Sequence, residues 1–472
     1  MHFRLIRWPC KEIWSPSAFN ISRGKALKQR ARRNKIALLG PFSFGNLGNA
    51  ALQQVLLQHL SKRFPEAEFY GCYIDPEAPA AAREILPFSL DGYVLWPVAS
   101  VIRHTKNADS GSKLSRIHER IMRTPLLGDL WNAGRTIWFK AQEVQQELVS
   151  YVRAYRFVRE FRLLVFGLGG LFDEVWGGKW GDLYSYFRWA VLARLAGTPL
   201  VCLSVGVEEV NSRLGRFFCK TVLLLASYRS FRDVESKEKV EAMGVRGDNR
   251  VFPDLAFGLE TKNSFIDEAD RRGRNVVGVS PMPYCDPRFW PIKDLSAYQR
   301  YLTILASFVS WILRNTEYEV VLFPTQIRMD RIAIEELKAL VLKDVPPSMH
   351  PRLTDADVRG VSDCMALLSR LNMAVTSRLH GVILSHLTGT PVLAVSPAGK
   401  IDRLMEDMNL KEYVLNIREL DLPLLVERFR RLEANRESVQ RDTHCKVAGY
   451  RKDVDAQFDL LFRTSGILDL DQ

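Results

Sequence analysis

The residues best suited to chemistry lie in one stretch, Ala374 to Lys400. Arg378 and His380 sit in the polar exit Ser377-Arg-Leu-His380 of a short apolar run, Met373 to Thr376, and Lys400 follows a second apolar run, Pro391 to Val395. Two permanent cations and an imidazole in one small unit suit an anionic ligand. The guanidinium can grip a carboxylate or phosphate with paired hydrogen bonds, and the imidazole can move a proton near neutrality. His386, further along the same unit, reads as structural.

To bring these groups together the stretch must fold as strand, helix, strand, with Gly381 to Leu387 as the helix. Ligands of open parallel sheets bind at the carboxyl ends of the strands, which is where Arg378, His380 and Lys400 would lie. The same alternation runs through most of the chain. Lys35 to Gly40 predicts a strand, Pro41 to Asn49 a glycine loop and Ala50 to Arg63 a helix. After Arg162 to Gly167 comes the loop Gly167-Leu-Gly-Gly-Leu-Phe-Asp173, whose Asp173 would be presented at a strand end. Strand Tyr228 to Arg232 leads into helix Val234 to Met243, with Asp233 as the cap and Arg232 aimed into a crevice. From Asn275 onward strands and helices alternate again. This pattern predicts an α/β protein of two doubly wound, Rossmann-like domains facing each other across a cleft. The boundaries are 35–262 and 275–420, with a basic segment 1–34 before them and a charged helical tail 421–472 after them.

Val98 to Phe161 departs from the alternation. It is basic, aromatic and helically periodic, and reads as a helical insertion in the first domain. A length of 472 residues, 47% apolar and 25% charged, fits two cores rather than one. No window is apolar enough to span a bilayer and no secretory block opens the sequence, so a cytoplasmic protein is expected. Seven scattered cysteines lack the paired spacing of zinc or redox sites and read as buried, reduced thiols; no metal is expected. The net charge of +12 is concentrated early, where ten Lys and Arg up to Lys35 face only Glu12. Such a segment, and the basic insertion, are candidates for peripheral contact with anionic headgroups at the inner face of a membrane. No nucleic-acid motif accompanies them.

Six motifs, in order, resemble the polysaccharide pyruvyl transferase family: Gly45-Asn-Leu-Gly-Asn-Ala-Ala-Leu52, Gly167 to Asp173, Ser204-Val-Gly-Val-Glu208, Arg232-Asp-Val-Glu-Ser236, Pro253-Asp-Leu-Ala-Phe257, and Ser377 to His380 through Gly389-Thr-Pro391 to Lys400. The resemblance implies a glycosyltransferase-B-like fold and transfer of the pyruvyl group of phosphoenolpyruvate onto two hydroxyls of a sugar, as a ketal. No cofactor beyond that co-substrate is implied; the acceptor sugar belongs to a polysaccharide or its lipid-linked precursor. It also implies roles: Arg232, Arg378, His380 and Lys400 for the donor, His380 as acid/base, and Asp173, Asn46 and Asn49 toward the acceptor. Asn49 stands where the family usually has Asp, and Ser396-Pro-Ala-Gly precedes Lys400 where an aromatic is usual. Two other readings are a nucleotide-sugar-dependent glycosyltransferase of the same fold and a non-catalytic binding protein of polysaccharide biosynthesis.

Overall fold

A computed structural model describes residues 34–40, 45–73, 92–95, 151–167, 169–175, 178, 180–260 and 275–464. The basic segment 1–33, residues 96–150 of the expected insertion and its flank, and the expected linker 261–274 lie outside the described residues.

The first domain is a seven-stranded, all-parallel sheet in the order β3-β2-β1-β4-β5-β6-β7. Its strands are β1 (Lys35–Leu39), β2 (Glu68–Tyr73), β3 (Gly92–Leu95), β4 (Leu163–Phe166), β5 (Leu200–Val205), β6 (Tyr228–Phe231) and β7 (Arg250–Val251). Parallel strands covered on both faces need apolar side chains on both, and β1 is buried throughout. Ile36 and Leu38 enter one core, Ala37 and Leu39 the other, as the two-residue strand period requires. Helix α1 (Leu47–Arg63) lines the first core; α2 (Asp182–Ala196) and α3 (Arg213–Leu225) line the second, and α4 (Val234–Ala242) follows β6.

The second domain is a six-stranded parallel sheet, β10-β9-β8-β11-β12-β13. It comprises β8 (Val276–Ser280), β9 (Glu319–Leu322), β10 (Leu353–Asp355), β11 (Met373–Thr376), β12 (Val392–Ser396) and β13 (Val414–Asn416), interleaved with α5 (Leu295–Asn315), α6 (Ile327–Asp344), α7 (Val361–Leu368), α8 (Leu379–Leu387) and α9 (Gly399–Asp407). In both sheets the strand order reverses beside the first strand, between β1 and β4 and between β8 and β11. Those reversals are the topological switch points at which such sheets hold ligands.

The two domains are joined by more than a linker. One apolar cluster runs from α1 through the 3-10 turn Leu255–Gly258 into the second domain. The Gly45–Leu47 loop also pairs with residues 325–327: Leu47 N–H donates to Thr325 O (3.0 Å) and Ile327 N–H to Gly45 O (2.7 Å).

The last helix, α10 (Leu422–Thr464), expected as a charged tail, is a strap across both domains. It packs Phe429 edge-on to Phe308 in the second domain, then Tyr450 on Phe257 and Phe458 flat on His59 in the first. At its far end buried Gln457 donates to Ser230 Oγ (2.6 Å) and accepts from Ser204 Oγ (3.0 Å), closing a buried polar network inside the first domain.

Three expectations are corrected. Residues 151–158, assigned above to an insertion, are helical, with Ala154 and Val158 buried against the sheet, so they are the crossover helix into β4. The helix after β11 begins at Leu379, two residues earlier than expected, which places His380 in its first turn. Among the described cysteines four are buried, but Cys445 is exposed on α10.

Candidate functional site

Most of the predicted site residues stand just past the carboxyl ends of strands, Asp173 and Arg232 in loops and His380 and Lys400 in the first turns of the following helices. Asp173 follows β4, Arg232 follows β6, His380 follows β11 and Lys400 follows β12. Asp233 caps α4, its Oδ1 accepting from Ser236 N–H at 2.7 Å, which fixes the chain direction at Arg232.

Arg232 is buried and surrounded by acids. Its Nη2 donates to Glu208 Oε1 at 2.8 Å, its Nη1 lies 3.8 Å from Asp254 Oδ2, and its Nε lies 3.5 Å from Asp233 Oδ2. Burial works against the charge, but Glu208, Asp254 and Asp233 more than offset it and hold the guanidinium above its ordinary value. Two glycines make the packing possible. A Cβ at Gly206 would lie 2.5 Å from Arg232 Nη2, and one at Gly48 only 2.0 Å from His380 Nδ1. Only glycine lets the imidazole rest on the first turn of α1.

His380 reaches from the second domain to the first. Its Nε2 lies 3.7 Å from Asp254 Oδ2, too far for a formed hydrogen bond, and both atoms are buried without another hydrogen-bond partner among the described residues. Asp254 is fixed through its other oxygen, which accepts from Ala256 N–H at 3.0 Å. Burial pushes the Asp254 carboxyl up; His380, Arg232 and the Ala256 N–H outweigh it and keep the group below the ordinary carboxylate range.

Lys400 also crosses the cleft, its Nζ 3.5 Å from Glu208 Oε1. Glu208 thus bridges Arg232 of one domain and Lys400 of the other, while Arg403 of α9 pairs with Glu235 of α4 beside them. Burial alone would raise Glu208, yet Lys400 and Arg232 draw it down from 4.5 to about 2. A carboxyl depressed in this way contributes stability above its unfolded value and loses it as pH falls from 4.5 toward about 2. The wild type should therefore lose on the order of 3 kcal/mol more than Glu208→Gln across that window. Urea unfolding at stepped acid pH checks this; parallel curves for the two proteins would refute the bridge.

Asp173 lies in the turn after β4, where its Oδ1 accepts from Val175 N–H at 2.7 Å. Burial raises it, with Glu208 adding to the effect, and its neighbour Asp182 at the start of α2 is pushed to about 6 by burial and by Asp173. Two neighbouring acids raised above the ordinary carboxylate range suit the acceptance of hydroxyl protons.

Arg378 and Asn46 differ from expectation. Arg378 forms a forked pair with Asp330 of α6, with Nη2 and Nε donating to Oδ1 at 2.6 and 2.9 Å, and Asp330 is wholly buried. Asn46 caps α1: its Oδ1 accepts from the N–H groups of Gly48 and Asn49 at 3.0 and 3.3 Å. That oxygen serves the helix rather than a ligand. Asn49 is half-buried one turn in. His386 is fully buried, and burial lowers it to about 3, so it stays neutral. Glu208, Asp254, Asp182 and Asp330 were not foreseen. The first two stand inside motifs noted above, Ser204 to Glu208 and Pro253 to Phe257, and an acid in such a motif was the available signal.

A pair of doubly wound domains with a charged site between their switch points, strapped by a returning C-terminal helix, is a glycosyltransferase-B-like fold. Solved structures agree on the fold. The S. aureus MnaA–UDP co-structure superposes with a TM-score of 0.54 at 10% identity, covering 92% of this chain and 97% of that one. A UDP-GlcNAc 2-epimerase from Neisseria meningitidis bound to UDP-GlcNAc gives 0.51 at 9% identity, covering 91% and 100%, and a putative UDP-N-acetylglucosamine 2-epimerase from Listeria monocytogenes gives 0.51 at 12%, covering 87% and 91%. No curated protein matches the sequence. Within that fold the chain belongs to the polysaccharide pyruvyl transferase family, whose model matches residues 46–399.

Proposed function

We propose that this transferase moves the pyruvyl group of phosphoenolpyruvate onto two hydroxyls of a sugar in a polysaccharide repeat unit or its lipid-linked precursor, in the cytoplasm. The observation that supports it most is the meeting of Arg232, His380 and Lys400, from two domains, at the carboxyl ends of both sheets.

Phosphoenolpyruvate carries a carboxylate and a phosphate. Among the described residues Arg232 has one ion pair shorter than 3.5 Å, and Lys400 sits 3.5 Å from its acid and is partly exposed, which suits both to those anions. Glu208 and Asp254 then act as placeholders that hold the cations in position. In the reaction C3 gains a proton, a sugar hydroxyl adds to C2, the C2–O bond to phosphate breaks, and the second hydroxyl closes the ring. Two hydroxyl protons are released; one balances the new methyl group and the other leaves on phosphate. His380 is the donor and acceptor of the proton at C3, with Asp254 behind it as a positioning residue. Asp173 and Asp182 face the acceptor as proton acceptors, and Asn49 contributes a neutral hydrogen-bonding group there. With Arg378 bound to Asp330, its part in donor binding is through the loop it secures.

Thermal melting checks the donor. Phosphoenolpyruvate at about a hundredfold excess over its Kd should stabilise the protein by about 2.7 kcal/mol, and UDP-N-acetylglucosamine should do less. Stabilisation by the nucleotide sugar alone would reject the donor assignment in favour of glycosyl transfer.

A further inference from the structure

The outer layer of the first domain carries a face that this chemistry leaves unused. Trp180, Tyr184, Phe187 and Phe217 form a continuous aromatic strip, with successive ring centroids 5.5, 6.4 and 5.7 Å apart. Trp180 and Phe217 are 53% and 54% exposed, and Leu195 and Leu224, toward the far ends of α2 and α3, are 67% and 51% exposed. Scattered apolar side chains are ordinary on a surface, whereas a connected aromatic strip marks an interaction site.

The charges beside it point to one kind of partner. Arg213, Phe217, Lys220 and Leu224 follow one another at spacings of four, three and four on α3, so cations and apolar groups share a single stripe. Arg216 is also exposed beside Phe217. Helix α3 contains no Asp or Glu, and α2 contains only Asp182 at its first position. Aromatic rings that can enter a headgroup layer, flanked by cations on helices whose one acid is Asp182 and with Glu174 taken up by the cap of α3, are the composition of a surface that rests on anionic lipid. A second copy of the chain fits less well, because a symmetric contact would lay the Arg213–Lys220 stripe against itself.

We infer that the α2–α3 face docks onto an anionic lipid bilayer. Trp180 comes seven positions after Asp173 in the sequence, and Tyr184 belongs to the first turn of the helix that Asp182 begins. The docked edge is therefore the rim of the cleft on its acceptor side, and a sugar carried on a membrane lipid would reach Asp173 without leaving the bilayer surface. The inference stands apart from the identity of the donor, since vesicle binding needs neither phosphoenolpyruvate nor turnover.

The test is co-sedimentation of the full chain with phosphatidylcholine vesicles with and without phosphatidylglycerol. Because the basic N-terminal segment also attracts anionic lipid, the variants carry the decision. Trp180→Ser/Phe217→Ser and Arg213→Glu/Lys220→Glu should each weaken partitioning onto the phosphatidylglycerol vesicles about tenfold, and the charge variant should lose part of its salt sensitivity. Trp180, Arg213 and Phe217 are exposed and Lys220 is partly so, and an unchanged melting temperature confirms that the variants fold. Wild-type protein that stays in the supernatant, or variants that partition like wild type, would overturn the inference. So would gel filtration showing a wild-type dimer that Phe217→Ser converts to a monomer, which assigns the face to self-association.

Discussion

His380→Ala should lower turnover by about 10²- to 10⁴-fold, while phosphoenolpyruvate should still raise the melting temperature nearly as much as in wild type. The reason lies in what the imidazole touches. On one side it rests on Gly48 and on the other it faces buried Asp254, so the protein places it but does not depend on it for the core. In the proposed reaction this imidazole, its Nε2 directed at Asp254, is the group that would exchange a proton with C3. In the proposed function the anions of the donor would fall to Arg232 and Lys400, which the substitution leaves in place. Loss should therefore be in kcat, with KM little changed. Asp254→Asn supplies the second arm of the same measurement. It keeps the volume and the acceptor for Ala256 N–H but removes the charge behind the ring, so it should displace the pH–rate profile as well as lower the rate. If His380→Ala turns over as fast as wild type, the imidazole is removed from the mechanism.

The dyad also explains which parts of the site were legible. His380 and Lys400 could be named because each follows a strand whose apolar run is plain in the sequence, and Arg232 because it precedes Asp233, a cap that a local rule identifies. The acids opposite them obey no local rule. Glu208 and Asp254 meet cations of the other domain, and their partnership exists only once two sheets face one another. The cleft consequently pairs its cations with acids of its own, Glu208 and Asp254, which the sequence reading of two cations and an imidazole did not include. The crossover helix at 151–158 was hidden for a related reason. Its basic and aromatic residues look like the segment before it, and only packing shows that Ala154 and Val158 belong to the core while Arg188 of α2 covers Tyr151 at 4.1 Å. The short strands β7, β10 and β13, two or three residues each, carry too little pattern to be read from sequence.

Arg378→Ala should destabilise the protein by about 3 kcal/mol, a larger effect on folding than is usual for a residue at a binding cleft. Arg378 and Asp330 are 48 positions apart, and no motif joins them. Asp330 is wholly buried, and besides the guanidinium its Oδ2 accepts from the N–H groups of Thr325 and Gln326 at 3.1 and 2.7 Å. Removing Arg378 leaves that carboxylate in the interior without its countercharge, which costs far more than the pair is worth in a well-solvated setting. The damage also has a direction. Thr325 is the residue whose carbonyl receives Leu47 N–H from the first domain, so loosening Asp330 loosens the contact that seats the first turn of α1 under His380. Urea unfolding measures the first consequence and a phosphoenolpyruvate titration the second. Arg378→Lys separates charge from geometry: it keeps a cation near Asp330 but cannot form the forked pair, so it should recover part of the stability and less of the donor response. A double variant, Arg378→Met with Asp330→Asn, removes both charges and should unfold at a higher urea concentration than Arg378→Ala, because the penalty comes from the stranded acid rather than from the missing pair. An Arg378→Ala protein that unfolds at the wild-type midpoint would show that Asp330 is content without its partner, and the residue would return to direct donor binding as its main task.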